Sequence, residues 1–232
     1  MCRHLSIRGC TIRRIFLLNL LFAALVAVMY SEAGASDFAN GFQWWSDIDF
    51  EVPMSRHWSV IYQQEFRMGE DGRTLYYFHS DIGLIYEGLA EWLGVGLNYR
   101  QVYQKDDAGD FQPENRPHLN VVVKDSLGRI RWSNRSRVEY RDRTTGEDTW
   151  RYRNLTTLRL PVELLGFEPY VADEVFINTD GTGYAANRLY AGGTLALGRN
   201  VEFDLYYLWE SSPANGGTDN IQALGTALAF RF

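Results

Sequence analysis

The sequence predicts an all-β chain, an antiparallel up-and-down transmembrane β-barrel of about 10–12 strands behind an N-terminal signal peptide. Three observations carry that prediction. Eleven runs alternate apolar and polar residues with turn chemistry between them; the connections alternate between tight and long; and the polar faces of the central runs are crowded with arginine.

The N-terminus stands apart. Arg3, Arg8, Arg13 and Arg14 precede the apolar run Ile15–Val28, and Ala33-Gly34-Ala35 supplies small residues where a signal peptidase cuts. A charged segment, a short apolar segment and an A-x-A site make residues 1–35 a secretory signal, leaving 36–232 as one barrel domain. The apolar run is shorter than the roughly 20 residues a helical span needs. Cys2 and Cys10 both precede it, so the processed chain is expected to be free of cysteine. Processing would lower the count from 23 basic and 29 acidic residues to 19 and 28, a net of −9. So acidic a chain is not expected to bind nucleic acid.

The runs follow in order. Phe42–Val52 stops at Pro53, and the tight turn 53–55 leads into Arg56–Met68. The polar stretch 69–73 separates that run from Thr74–Tyr86, after which comes Trp92–Gln104. The long stretch 105–112 precedes Glu114–Val123, and the tight Asp125-Ser126-Leu127-Gly128 joins it to Arg129–Arg141. Residues 142–149 form a long connection to Trp150–Val162, whereas Leu165-Gly166 turns tightly into Phe167–Ile177. The long 178–186 leads to Asn187–Leu197, the tight 198–200 to Val201–Glu210, and the long 211–220 to Ile221–Phe232. Each run approaches the length of a tilted membrane strand, and short turns on one rim with long loops on the other are the habit of outer-membrane barrels.

Faces within the runs divide cleanly. Leu224, Thr226, Leu228, Phe230 and Phe232 oppose Ala223, Gly225, Ala227, Ala229 and Arg231, and Val201, Phe203, Leu205, Tyr207 and Trp209 oppose Glu202, Asp204, Tyr206, Leu208 and Glu210. Period alone does not say which face meets lipid. Arginine decides it: Arg129, Arg131, Arg135, Arg137, Glu139 and Arg141 share one face of a single run, Arg151, Arg153 and Arg159 share one face of the next, and only two lysines occur in the chain. Guanidinium groups suit enclosed, paired geometry better than ammonium groups do. Trp58, Trp92, Trp150 and Trp209 lie near run ends, where interfacial girdles belong.

The C-terminal Ala229-Phe230-Arg231-Phe232 has the pattern of a barrel-sorting signal, carried by Phe230 and Phe232. One feature resists. Eleven is odd, whereas single-chain bacterial barrels normally have even counts, and 36–41 is too short for a further span. Three resolutions are open: a miscounted strand, an N-terminus threading the lumen, or parallel closure between the first and last strands.

The candidate site is a lumenal charge network of Glu65, Arg67, His79, Asp81, Arg100, Glu114, Arg116, His118, Arg135, Arg137, Glu139, Arg151, Arg153, Arg159, Asp173 or Glu174, Arg188 and Glu210. It reads either as an ion-paired filling that fixes strand register or as a selectivity zone for anionic solutes. Asp173 and Glu174 are adjacent, so only one can face inward unless a bulge intervenes. His57, His79 and His118 are expected on inward faces in structural roles. No nucleophile, phosphate-loop or metal-ligand signature occurs, and Asn178-Thr179-Asp180-Gly181-Thr182-Gly183 lacks the further ligands of a calcium loop, so no catalytic residue, cofactor or metal is expected.

The segments Arg116-Pro117-His118, Ser133–Arg141, Trp150–Asn154, Pro169–Glu174 and Asn187–Gly192 resemble a family catalogued as domain of unknown function number 2490, over nearly all of the processed chain. The resemblance implies a bacterial outer-membrane barrel and supplies no mechanism. The expected function is therefore a structural or passive-channel barrel of a Gram-negative outer membrane, not an enzyme. Its expected partners are membrane lipids, barrel-assembly machinery and periplasmic chaperones during export, and small anionic solutes. Two rivals stand beside it: a lipid-modifying barrel enzyme, and a soluble periplasmic barrel that binds a ligand in an apolar interior.

Overall fold

The computed structural model describes residues 42–214 and 217–232. The expected signal peptide and its cleavage site lie outside these residues. Eleven strands form one closed barrel: β1 Phe42–Pro53, β2 Trp58–Gly69, β3 Thr74–Ala90, β4 Leu93–Lys105, β5 Phe111–Leu127, β6 Ile130–Arg143, β7 Thr149–Arg159, β8 Phe167–Asn178, β9 Gly183–Ala196, β10 Val201–Ala214 and β11 Gly217–Arg231. Sequential neighbours pair antiparallel, so every interior backbone donor and acceptor can find a partner across the ladder.

Parity is resolved by parallel closure. An odd number of up-and-down strands makes the first and last run in the same direction, and β1 pairs parallel with β11 from Phe42↔Gln222 to Glu51↔Arg231. On the outer side of this seam Ser46 Oγ and Thr226 Oγ1 lie 3.3 Å apart, and the Phe50 and Phe230 rings stack at 5.1 Å. On the inner side Trp45, Tyr206, Leu208 and Ala223 form an apolar cluster. Gly225 makes room for it, since a β-carbon there would stand 2.0 Å from the Tyr206 ring.

The wall is turned inside out relative to a soluble barrel. Outward side chains include Trp58, Leu84, Leu97, Leu119, Val138, Trp150, Leu189 and Leu205, all exposed. Fully enclosed side chains include His79, Gln43, Glu139 and Glu174. In water this would place the hydrophobic effect against the fold. Apolar surroundings reverse the sign, and the barrel is therefore of the transmembrane type.

Several expectations need correction. The rhythm of tight and long connections does not survive. Among the described residues, on the rim that holds the C-terminus the connections are 54–57, 91–92, 128–129, 160–166 and 197–200; on the opposite rim they are 70–73, 106–110, 144–148 and 179–182. The two rims are alike because polar stretches continue as paired strand. Residues 211–214 form ladder pairs with 217–220, from Ser211↔Asn220 to Ala214↔Gly217. Conversely, β7 stops at Arg159, just before Leu160 and Pro161, and the turn that follows holds Leu165 at φ 54° and Gly166 at φ 86°.

His57 lies in the exposed 54–57 turn, not on an inward face, and Arg129 sits in the 128–129 turn. Alternation does not fail at Asp173 and Glu174: Glu174 is buried inside and Asp173 faces outward. The irregularities occur elsewhere. Register shifts between Arg67 and Met68, opposite Tyr76, so that Tyr76 and Tyr77 are both buried, and again between Phe176 and Ile177.

Candidate lumenal charge network

Strand pairing brings the inward residues of neighbouring strands level, and opposite charges meet at nearly every step. On β2, Glu65 is bonded to Arg67, whose guanidinium lies 3.7 Å from the Trp45 ring centre and 4.2 Å from that of Tyr77. Asp81 on β3 receives Arg100 Nε at 2.8 Å and Asn98 Nδ2 at 3.0 Å from β4. Glu114 on β5 is the acceptor for Arg116, at 2.7 and 2.8 Å, and for Arg141, at 2.5 and 2.9 Å, with Arg143 at 3.9 Å. Forked pairs of this kind fix both guanidinium planes.

The β6–β9 sector is denser. Glu139 accepts from Arg151 at 2.5 Å and has Arg153 at 3.6 Å and Arg137 at 4.0 Å. Glu174 accepts from Arg153 at 2.8 Å, Arg135 at 3.0 Å and the Tyr190 hydroxyl at 3.1 Å, with Arg188 at 4.0 Å. Arg188 is bonded to Glu210 and lies 4.9 Å from the Trp45 ring, so that two arginines engage one indole. Arg159 stands apart, donating to Thr194 Oγ1 at 2.9 Å with Glu168 at 3.8 Å.

The two enclosed histidines belong to the same layer. His79 Nε2 is 3.4 Å from Gln63 Oε1 and its Nδ1 3.8 Å from Glu65; His118 Nδ1 is 3.0 Å from the Arg116 carbonyl and its Nε2 3.5 Å from Asp81. Asp173 is the predicted network residue that the fold excludes. Its carboxylate accepts Asn187 Nδ2 at 2.5 Å on the outside of the barrel.

Sequence reasoning missed part of the lumen. Trp45, Asp47, Asp49 and Glu51 recur at period two against outward Trp44, Ile48, Phe50 and Val52, a signal present in the first run and not used. Gln63, Asn98 and Asn120 also line the interior, where Asn120 donates its Nδ2 to Asn98 Oδ1 at 2.9 Å and accepts Arg137 Nε on its Oδ1 at 2.8 Å. Arg141 and Asp204 were placed on inward faces but not among the site residues. Among the described residues no group of three or more metal-ligating side chains occurs.

Arginine outnumbers carboxylate within the ion-paired part of the lumen. In the ion-paired network Arg67, Arg100, Arg116, Arg135, Arg137, Arg141, Arg143, Arg151, Arg153 and Arg188 share Glu65, Asp81, Glu114, Glu139, Glu174 and Glu210. Ten cations thus meet six anions. Arg135 Nε and Arg137 Nη1 are buried and have no acceptor among the described residues. Three further inward carboxylates, Asp47, Asp49 and Asp204, have no ion-pair partner among the described residues; Asp204 accepts from Tyr170 at 2.7 Å and Thr194 at 2.9 Å, and Asp47 from Gln63 at 3.3 Å.

Free space between these side chains falls into separate cavities. A cavity of about 190 Å³ toward the far rim is lined by seven arginines with Glu210 as the carboxylate among them, and one of about 270 Å³ below it contains Asp47, Asp204, Tyr170 and Tyr206. Arg67, Arg100, Arg153 and Arg188 line both, and so form the partition between them. A third cavity of about 510 Å³ reaches Glu51, Glu87, Lys124 and Arg231 at the C-terminal rim.

Outside the strands, the far rim carries ordered carboxylates. Asp106 accepts Gln112 Nε2 at 2.7 Å and the backbone N–H groups of Ala108 and Asp110 at 3.0 Å, and these bonds hold its carboxyl below the ordinary aspartate range. Asp148, bonded by the Arg143 N–H at 3.0 Å and the Tyr140 hydroxyl at 2.8 Å, is lowered likewise.

A closed wall with its apolar face outside and a hydrogen-bonded, ion-paired filling defines a β-barrel of the outer-membrane type. Within that class, the chain belongs to the DUF2490 family, described as a protein of unknown function, whose family model matches residues 42–222. The structure is distantly similar to LpxR from Salmonella typhimurium, with 10% identity, coverage of 79% of this chain and 87% of that one, and a TM-score of 0.48. No curated protein matches the chain significantly.

Proposed function

We propose that the protein is an outer-membrane barrel of a Gram-negative bacterium that acts as a narrow, anion-selecting conduit rather than as an enzyme. The observation that carries this reading is the surplus of guanidinium groups, ten against six carboxylates, in the enclosed ion-paired network. An enclosed excess of positive charge lowers the energy of a small anion and raises that of a cation, because interior dielectric screening is weak. The arginine partition sets the size limit: a solute passes only by exchanging places with side chains, so the flux is small and large solutes are rejected. On the same reading the ion pairs fix strand register, lipids surround the wall, and export depends on periplasmic chaperones and the barrel-assembly machinery that recognises Phe230 and Phe232.

A non-enzymatic role accords with where the histidines lie. His57 is exposed in a turn, while His79 and His118 are enclosed among Gln63, Glu65, Asp81 and the Arg116 carbonyl. Among the described residues no hydroxyl nucleophile is bonded to either ring nitrogen there.

The test is conductance of purified protein in planar bilayers under a potassium chloride gradient. Small single-channel currents with a reversal potential on the chloride side are expected. Converting Arg116, Arg141 and Arg151 to Gln together should move that potential toward zero. Absence of any current, or preference for potassium, would refute the conduit.

A further inference from the structure

The outer wall carries one mid-strand charge that takes no part in the lumenal network and is only half satisfied, by Asn187 Nδ2 on its Oδ1. Asp173 lies near the middle of β8, with outward Val171 and Val175 on either side along the strand. Among the described residues it is the one acidic or basic side chain that faces outward away from strand ends. An ionised group at that depth is disfavoured against lipid, and such groups within a membrane are kept for contacts.

Asp173 is part of a polar band that crosses four strands. Register places Asn134 beside Thr156 and Thr156 beside Asp173, and Ser136 beside Asn154 and Val175 beside Asn187. Within the band Asn134 Nδ2 donates to Asn154 Oδ1 and Thr156 Oγ1, both at 2.8 Å. Asn154 Nδ2 lies within 3.0–3.1 Å of Asn134 Oδ1, Ser136 Oγ and the Tyr152 hydroxyl. The outward Gln64–Ser80 pair at 2.6 Å, by contrast, is neutral and closes on itself. The β6–β9 band does not close. Asp173 Oδ2 has no hydrogen-bond partner among the described residues, and the Thr156 hydroxyl, which accepts from Asn134, keeps its own proton to donate.

We propose that this face of β6–β9 is where a second copy of the chain docks within the membrane. Lipid tails offer no donors, so the occupant must itself present hydrogen-bonding groups at this depth. A second copy does, because all copies insert with the same orientation. The two-fold axis relating them then runs along the membrane normal and brings surfaces of equal height together. That operation sets the polar band against itself, and it is self-complementary: Thr156 of each copy can donate to the open Asp173 oxygen of the other. The apolar residues above and below, Val138, Leu158, Val171, Ile177 and Leu189, meet their counterparts in the same contact.

Two measurements on protein extracted from membranes in mild detergent decide the matter. Light scattering should give the mass of two chains, and D173L should give that of one, whereas D173N, which retains hydrogen bonding, should remain paired. In a background with Cys2 and Cys10 replaced by Ser, V171C treated in intact membranes with a flexible bismaleimide should yield the doubled chain. L84C, exposed on the β3 side, serves as control and should give at least tenfold less. A one-chain mass with equal cross-linking at the two positions overturns the proposal, and so does capture by V171C of a different protein in place of a second copy.

Discussion

Glu174 is the position at which the interior network can be tested most directly. Its side chain is enclosed, with Arg153 Nη2 at 2.8 Å and Arg135 Nη2 at 3.0 Å on the same oxygen and the Tyr190 hydroxyl at 3.1 Å on the other. At these separations, with an effective dielectric of about 20, each charge contact is worth about 6 kcal/mol before desolvation. Most of that offsets the cost of bringing three ions out of water. Removing only the anion leaves that cost standing without its compensation, and broken buried pairs of this kind lose about 3–5 kcal/mol. E174Q keeps the shape and one carbonyl acceptor, so about 3 kcal/mol is expected. The assay is equilibrium urea unfolding of the barrel refolded in lipid vesicles, followed by tryptophan fluorescence. A second substitution sharpens it: E174Q with R135Q should be less destabilised than the sum of the single variants, because R135Q deletes a cation that E174Q leaves unpaired. A loss below about 1 kcal/mol, the worth of an exposed pair, with strictly additive variants would refute the claim that these charges hold the barrel together.

Two further outcomes follow from the fold. Parallel closure predicts that S46C combined with T226C, in place of hydroxyls 3.3 Å apart across the seam, forms a disulfide on mild oxidation; persistent free thiols in the folded barrel would argue against the β1–β11 register. In the 106–110 connection, the carboxyl of Asp106 is lowered in the folded state, so its bonds contribute above the ordinary aspartate range and are lost as pH falls below about 4. Slowed amide exchange at Ala108 and Asp110, measured by NMR in micelles, should therefore disappear on acidification, and D106N should flatten that pH dependence.

What was legible in the sequence, and what was not, divides along a physical line. Alternation reports which residues share a face, and it placed all eleven strands and the inward faces of β6, β7, β10 and β11 from local pattern alone. Polarity, by contrast, overstates the length of the connections. Ser211 and Asn220 pair across the ladder despite being polar, since backbone hydrogen bonding needs no apolar side chain and strands can continue past the lipid-facing belt. Phase at Asp173 and Glu174 was likewise undetermined locally. Either carboxylate could have faced inward; Glu174 does because Arg135 and Arg153, distant in sequence, stand level with it.

Closure is the clearest case of information that no local window contains. Pairing of β1 with β11 joins residues about 180 positions apart, and only the count of strands, an odd number, bears on it. Once the count is eleven, antiparallel closure is geometrically excluded, and the remaining choice lies between an open edge and a parallel seam. An open edge inside a membrane would leave a whole row of backbone N–H and C=O groups facing lipid, each costing several kcal/mol. A parallel ladder is only slightly less stable per residue than an antiparallel one. The seam is therefore the cheaper solution by a wide margin. Its side chains accord with that: small Ala223 and Gly225 admit Tyr206 and Trp45 on the inside, while Phe50 stacks on Phe230 outside. Odd parity, which looked like a fault in the strand count, is the observation that dictates how the barrel closes.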